Sequence, residues 1–480
     1  MSIRPCDRAM TRYIIEEGFR GAGMRGLWHR LFAAVLCATL IGGMLAPARV
    51  LAAEGASSYT LQQCIEKAVA ASPGISSLRY EADAQDARLK QAEAEDYPQV
   101  DVTAIAGPSP EARRSDFLRT DVSGARINGV FGSVEVSLIQ PLDVFGVLGG
   151  KRESAASGLK AAETGVDKKT SDIILKTKEL YYSLLLARDT KSLSLEIKEI
   201  IAAALNKLRT RSNEGNARAD ALNVLRLDAL LGEVGRHVND ADRDVAVSKA
   251  ALLTDMGLPP GSEFTPAESS LTPEETMPAE MNVYLKNAAE MRPEFIRLRA
   301  ALDEKKALIK VGRSNYYPMA FIGFDGVLAG ATNREKIDNP YLGDPLGYTH
   351  AAVFTGLKWS LDFGITKGRV REAEAEYNKL AEEMKLAEAE IPLQVRKAFF
   401  DMEAARKNIA EAEEACRNSR KWLDIASANL EAGIGDSRDM VEAASRYLQN
   451  RVNKLRSAYN QRLAYANILY ASGMDRKGLK

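Results

Sequence analysis

Histidine is nearly absent, with three in 480 residues at positions 29, 237 and 350. No metal-ligand spacing, no nucleophile–base cluster and no phosphate-cradling glycine loop can be assembled, so an enzyme has no site to stand on. No cofactor or metal is expected. Cysteine is almost as scarce. Cys6 and Cys37 fall in the leader described below, while Cys64 and Cys416 lie far apart on helical patterns. They read as small buried residues rather than a disulfide framework. Neither charge is in excess, with 65 basic and 65 acidic residues, which excludes the footprint of a nucleic-acid partner. Beyond the N-terminus no apolar run is long enough for a spanning helix. Any membrane crossing must be made by strands.

The N-terminus has the form of an export signal. Arg25 and Arg30 precede the apolar run Leu31–Ala48, and Val50-Leu51-Ala52 offers a small-residue cleavage site. The expected signal peptide is residues 1–52, with Met24 a candidate start. The alternative is a membrane anchor, but Gly42, Gly43 and Pro47 interrupt a run shorter than the ~20 residues a bilayer requires. Cleavage removes seven Arg and three acids, leaving 58 basic against 62 acidic residues and a charge of −4. No cysteine stands at the expected mature N-terminus, so no lipid anchor is expected there.

What the chain has is itself, twice. Pro73 is followed 25 residues later by the Tyr97-Pro98 pair, and Pro293 is followed 25 residues later by Tyr317-Pro318. An offset of 220 carries Leu78 onto Leu298, Arg79 onto Arg299, Asp83 onto Asp303 and Lys90 onto Lys310. Further along, Leu142-Asp143 recurs as Leu361-Asp362, Tyr181-Tyr182 as Phe399-Phe400, and Gly215 as Gly433. So long a period is no solenoid unit. It means two copies of one whole motif, 53–258 and 281–473, joined by a proline-rich linker at 259–280 and followed by a short tail at 474–480.

Within each copy the pattern runs helix, strand, strand, helix. Strands are expected at about 99–106, 130–140, 319–329 and 350–361. Alternation places Val130, Gly132, Val134, Val136 and Leu138 on one face of the second, opposite Phe131, Ser133, Glu135, Ser137 and Ile139. A half-buried soluble sheet alternates in the same way, but the lengths suit tilted membrane strands. A glutamate within the polar face then needs water on that side. Residues 107–129 and 330–348 read as long exposed loops. Helical hairpins are expected at about 151–256 and 367–472. The run Lys367–Glu431 would span roughly 97 Å at ~1.5 Å per residue. Its seam Phe399, Met402, Ala405, Ile409, Ala412, Cys416, Ser419, Leu423, Ala426 and Leu430 keeps heptad steps with small residues. Each outgoing helix is expected to stop at a glycine, Gly215 or Gly433. Pro392 is expected to interrupt the longer one.

This order of duplicated helices and strands behind a signal peptide resembles the TolC-like outer membrane efflux proteins, from about Thr60 to Gly473. The marks that carry the resemblance are the Leu61–Pro73 opening, the Tyr-Pro strand starts and the tips at Gly215 and Gly433. It implies a mainly α protomer with membrane β. Three copies would form a homotrimer with a twelve-stranded barrel in the outer membrane, continued by a long α-helical barrel across the periplasm. The implied function is a passive exit duct for a tripartite efflux or type I secretion system, served by a periplasmic adaptor (membrane fusion) protein and an inner-membrane pump. Its surroundings would be outer-membrane lipid. A periplasmic adaptor is the alternative among long-helix proteins, but a full duplication with two strand pairs argues against it.

The resemblance also places site residues. Asp439 and Glu442 would ring the closed periplasmic entrance, with Asp220 the corresponding acid of the first tip. Gly215, Ala217, Gly433 and Gly435 would let the helix tips approach an adaptor closely. Some relatives lock the tip with an arginine and a tyrosine. Here those places hold Gly435 and Leu430, so that lock is absent. The other reading of Asp439 and Glu442 is a solvated helix start whose acids complement the helix dipole.

Overall fold

The computed structural model describes residues 57–112, 126–212, 217–274, 278–335, 343–432, 434 and 436–476, and the expected signal peptide lies outside them. The first repeat holds α1 (Leu61–Ala71), α2 (Pro73–Ala94), β2 (Gln99–Pro110), β3 (Ile127–Leu142), α3 (Val147–Ser212) and α4 (Ala217–Asp255). The second holds α5 (Met281–Met291), α6 (Pro293–Ser314), β5 (Met319–Ala331), β6 (Tyr348–Lys358), α7 (Ile365–Glu431) and α8 (Ser437–Ala471). Two short strands, β1 (Ser57–Tyr59) and β4 (Phe264–Pro266), pair in parallel.

The repeated prolines start helices. Pro73 and Pro293 each open a helix of 22 residues, where a missing N–H costs nothing. Ser72 caps the first of these, its hydroxyl accepting from Ile75 N–H at 3.4 Å. Thr60 and Gln63 close a reciprocal capping box ahead of α1.

The four long strands form one antiparallel sheet in the order β2-β3-β5-β6, so the β3–β5 ladder joins the two repeats. Beneath it the helices follow the same order, α2 against α3, α3 against α6 and α6 against α7. Sheet and helices therefore keep one order across the two repeats. Further from the sheet α4 packs on α3 and α8 on α7, while α3 and α8 bring the two hairpins together.

α7 runs 67 residues without a break, straight through Pro392. The interruption expected there does not occur. Proline removes a single backbone donor, while Ile391 and Val395 on either side are buried against α5, α6 and α8. That packing holds the turn in place. Along the heptad seam Met402, Ala405, Cys416, Ser419, Leu423, Ala426 and Leu430 are buried. In the half furthest from the sheet they meet Leu193, Ile197, Ile201 and Leu205 of α3, Leu227 and Val234 of α4, and Met440 and Tyr447 of α8. Cys64 and Cys416 are both buried and free. Burial pushes the Cys64 thiol up to about 12.

The proline-rich segment between the repeats is a strap rather than a spacer. Arg188 of α3 donates to the Glu268 carbonyl at 2.8 Å, and Asp189 accepts from Leu271 N–H at 2.8 Å. From α8, Gln461 holds Glu274 at both its N–H and its carbonyl, at 2.7 and 2.8 Å. Arg462 donates to Thr272 O at 2.8 Å. Side chains of both hairpins thus satisfy the backbone of an otherwise irregular segment.

Candidate functional site

The sheet has two chemically distinct faces, fixed by register. Residues directly opposite in an antiparallel pair share a face. One row reads Val102, Val136, Gly326, Ala351, and the next Val100, Leu138, Phe324, Val353. Continuing along the strands, this face adds Ala104, Val134, Leu328 and Ile322, and no residue on it is charged. It is also uncovered. Val102 and Leu328 are each 64% exposed and Val353 is 75% exposed. An apolar face this exposed in water would be an aggregation hazard, but against lipid it is at home.

The other face carries the polar residues. Its rows include Asp101, Ser137, Asp325 and Ala352, then Thr103, Glu135, Val327 and His350. Nearer the helices, Phe321 faces Gly356 and Phe354 faces Gly323. The two phenyl rings meet edge to face at 6.2 Å. A Cβ at Gly323 would come 2.4 Å from the Phe354 ring, so any larger residue would have to push the ring aside. At the helix end of the sheet, Tyr97, Phe145, Tyr316, Tyr317, Trp359 and Phe363 are all exposed. Trp359 donates to Tyr316 O at 3.1 Å, and Phe145 stacks on Tyr317 at 4.8 Å. The amphipathic Tyr and Trp rings among them, gathered in a band just below an apolar face, mark a membrane–water interface.

At the tips of the hairpins, the sequence-expected acids stand apart from the network that forms. Asp439 and Glu442 lie one turn apart on α8, both exposed, next to the buried Met440, Ala443 and Ala444. Neither makes a hydrogen bond or ion pair among the described residues. Ala217 and Asp220 fall in the first turn of α4, with side chains outside the description, and Gly215, Gly433 and Gly435 lie outside the described residues. Ile434 N–H returns to Asn429 O at 3.1 Å, the six-residue closure of a glycine-type helix stop.

The polar contact that does form joins the two hairpins. Arg226 of α4 reaches Asp436, the N-cap of α8, at 3.1 Å, and Ser437 Oγ donates to Asn223 Oδ1 of α4. The Arg438 backbone N–H, with Arg226 beside it, holds the Asp436 carboxyl below the usual carboxylate range. Lys207 and Glu431 add a bridge of 2.7 Å between α3 and α7. Sequence reasoning missed this clasp, because Arg226 and Asp436 are 210 residues apart and neither sits in a motif.

Residues 64–257 and 284–474 match the model of the outer membrane efflux protein family. The chain belongs to that family. Outer membrane protein TolC of Escherichia coli (strain K12) is 21% identical over 432 residues, covering 86% of this chain and 82% of TolC. The fold is that of solved relatives. A membrane protein from Pseudomonas aeruginosa superposes with a TM-score of 0.72 at 15% identity, covering 88% of this chain and 95% of its own. The open state of the Neisseria gonorrhoeae MtrE outer membrane channel gives 0.70 at 17% identity, with 86% and 89% covered.

As an outer membrane efflux protein the chain is a transport duct and not an enzyme. Its sheet sits in the outer membrane and its helices build the periplasmic tunnel. Members of the family act with adaptor and pump partners. Asp143 and Asp362 make the corner between the two parts. Asp143 accepts from the N–H groups of Leu148 at 3.1 Å and Gly149 at 2.7 Å. Asp362 accepts from those of Gly364 at 3.1 Å and Thr366 at 2.8 Å. The repeated Leu-Asp pair is therefore the device that turns strand into tunnel helix.

Proposed function

We propose that this chain acts as a homotrimer. Three four-stranded sheets close one barrel, and three sets of hairpins close one tunnel that receives cargo from an inner-membrane pump through a periplasmic adaptor. The observation that carries the reading is an apolar, charge-free sheet face on a sheet with two open edges. Among the described residues β2 and β6 each lack a partner on one side, and lipid tolerates no unpaired strand edge. Four strands cannot enclose a pore, since about eight only just form a filled barrel. β6 of one copy therefore meets β2 of the next. Crosslinking of the detergent-extracted protein should give a three-chain band, and a stoichiometric monomer with native helicity would sink the reading.

The tips around Gly215, Ala217, Gly433 and Gly435 are the proposed adaptor surface, where small residues let helix ends approach closely. Asp439 and Glu442, with Asp220, are the proposed entrance ring. Replacing Gly433 by Val should impair export while leaving the amount of trimer unchanged. Export that survives bulky changes at both tips places the adaptor contact elsewhere.

A further inference from the structure

The polar face of the sheet carries one ionisable group per strand within two adjacent rows. Asp101 on β2 and Asp325 on β5 share one row, and Glu135 on β3 and His350 on β6 share the next. The four form a zigzag across the whole width of the sheet. Its last step is made, with His350 Nε2 at 2.8 Å from Asp325 Oδ1. The Tyr348 ring stacks on the imidazole at 6.1 Å. His350 stays half-exposed on this face, with 52% of its side chain accessible.

We propose that this row is a second, pH-responsive selectivity element inside the barrel, separate from the tunnel entrance, and that His350 sets its charge. The proposal rests on the closed-barrel reading above. With the imidazole neutral, Asp101, Glu135 and Asp325 give each chain three negative charges and no positive one. With the imidazole protonated the net falls from −3 to −2 per chain, and from −9 to −6 for three copies. Imidazole is the ordinary side chain that changes charge between about pH 5 and 8. Charge around a pore with low-dielectric walls is focused into the lumen, where it sorts permeating ions by sign.

The groups facing His350 are Asp325 from β5, Glu135 from β3, Asp101 from β2 and Tyr348 from its own strand. In the closed barrel, β2 of the next copy lies along the free side of β6 and carries its own Asp101. The one cation on this face of the four strands, Lys358, lies eight residues along β6, about 26 Å away at ~3.3 Å per residue. That is beyond the ~8–10 Å over which salt leaves charges in contact.

The test uses the full-length mature channel in planar bilayers under a KCl gradient, with reversal potentials read from pH 8.5 down to 5. The wild type should lose cation preference by roughly twofold or more in a single step across that range. His350→Gln should remove that step and keep the preference of the high-pH form throughout. Asp439→Asn/Glu442→Gln should shift the overall preference and leave the step in place. A step that survives in conducting His350→Gln channels overturns the proposal. An absence of any conducting oligomer in the wild type instead defeats the barrel reading, and the proposal with it. His350→Asn serves as a second variant should Gln disturb assembly.

Discussion

Asp143 and Asp362 hold the same place in the two repeats, each gripping backbone N–H groups where a strand hands over to a long tunnel helix. Thr366 adds its hydroxyl to Asp362 at 2.5 Å. Asp143→Ala should lower stability by about 1 kcal/mol, the usual worth of a helix cap. Both side chains line one cavity, so the departure of the double change from additivity measures the coupling of the two corners. Denaturant midpoints of the folded oligomer give the measure. The Thr366 hydroxyl and the nearby backbone N–H groups hold the Asp362 carboxyl below its ordinary value. A depressed carboxylate stabilises above its unfolded-state pKa, and that share is lost as pH falls through the folded value. The Asp362→Asn protein should therefore lose less stability in acid than the wild type.

At the opposite end of the sheet, Arg334 forks onto Asp344 at 2.8 and 2.6 Å and also donates to Pro110 O at 2.9 Å. Both side chains of the pair are largely buried. The contact ties the loop after β5 to the end of β2. The Arg334 hydrogen bond holds the Asp344 carboxyl below the usual range, so this tie too is present at neutral pH and fails as pH falls through the lowered value. Arg334→Gln should make the outer loops cleavable by added protease on intact cells at neutral pH. Wild-type loops should acquire the same sensitivity only in strong acid. Equal cleavage of both proteins at neutral pH would show that the tie does not order the loops.

The clasp of Arg226, Asp436, Asn223 and Ser437 links α4 to the start of α8. Exposed pairs of this kind contribute little to stability, typically under about 1 kcal/mol. Their effect should instead appear where the hairpins must part. Arg226→Ala/Ser437→Ala should raise single-channel conductance without reducing the amount of oligomer. Unchanged conductance would mean that the clasp only stiffens the two hairpins as a unit.

The parts of this architecture written in local sequence were readable, and the parts written between distant segments were not. Tyr-Pro pairs and heptad seams are local signals, and the duplication let each repeat check the other. Strand faces followed from alternation, because period two survives whatever the neighbour. Pro392 misled, since its local cost is set against the burial of Ile391 and Val395 that only the fold reveals. The strap held by Arg188, Asp189, Gln461 and Arg462, and the clasp of Arg226 on Asp436, pair side chains with partners tens to hundreds of residues away. No spacing rule anticipates such contacts. Asp439 and Glu442 are placed by resemblance alone, and a channel measurement assigns their role.

That experiment turns on position. The two carboxylates are exposed on α8 beside the buried Met440 and Ala443, and i, i+3 spacing lets both face one axis. If trimer symmetry gathers three copies around a narrow entrance, six carboxylates create a field that favours cations and offers multivalent ones a place to lodge. If both acids face bulk solvent, salt screens them within ~10 Å and the permeating ions scarcely feel them. Asp439→Ala/Glu442→Ala should then separate the two cases. An entrance ring predicts reduced cation selectivity together with relief of block by a trivalent cation applied from the periplasmic side. Addition from the outer side should be blocked less in both proteins, since the ring lies at the far end of the tunnel. Selectivity and block that stay at wild-type levels in an intact trimer would make these residues a solvated helix start, with their charge directed at the α8 dipole alone.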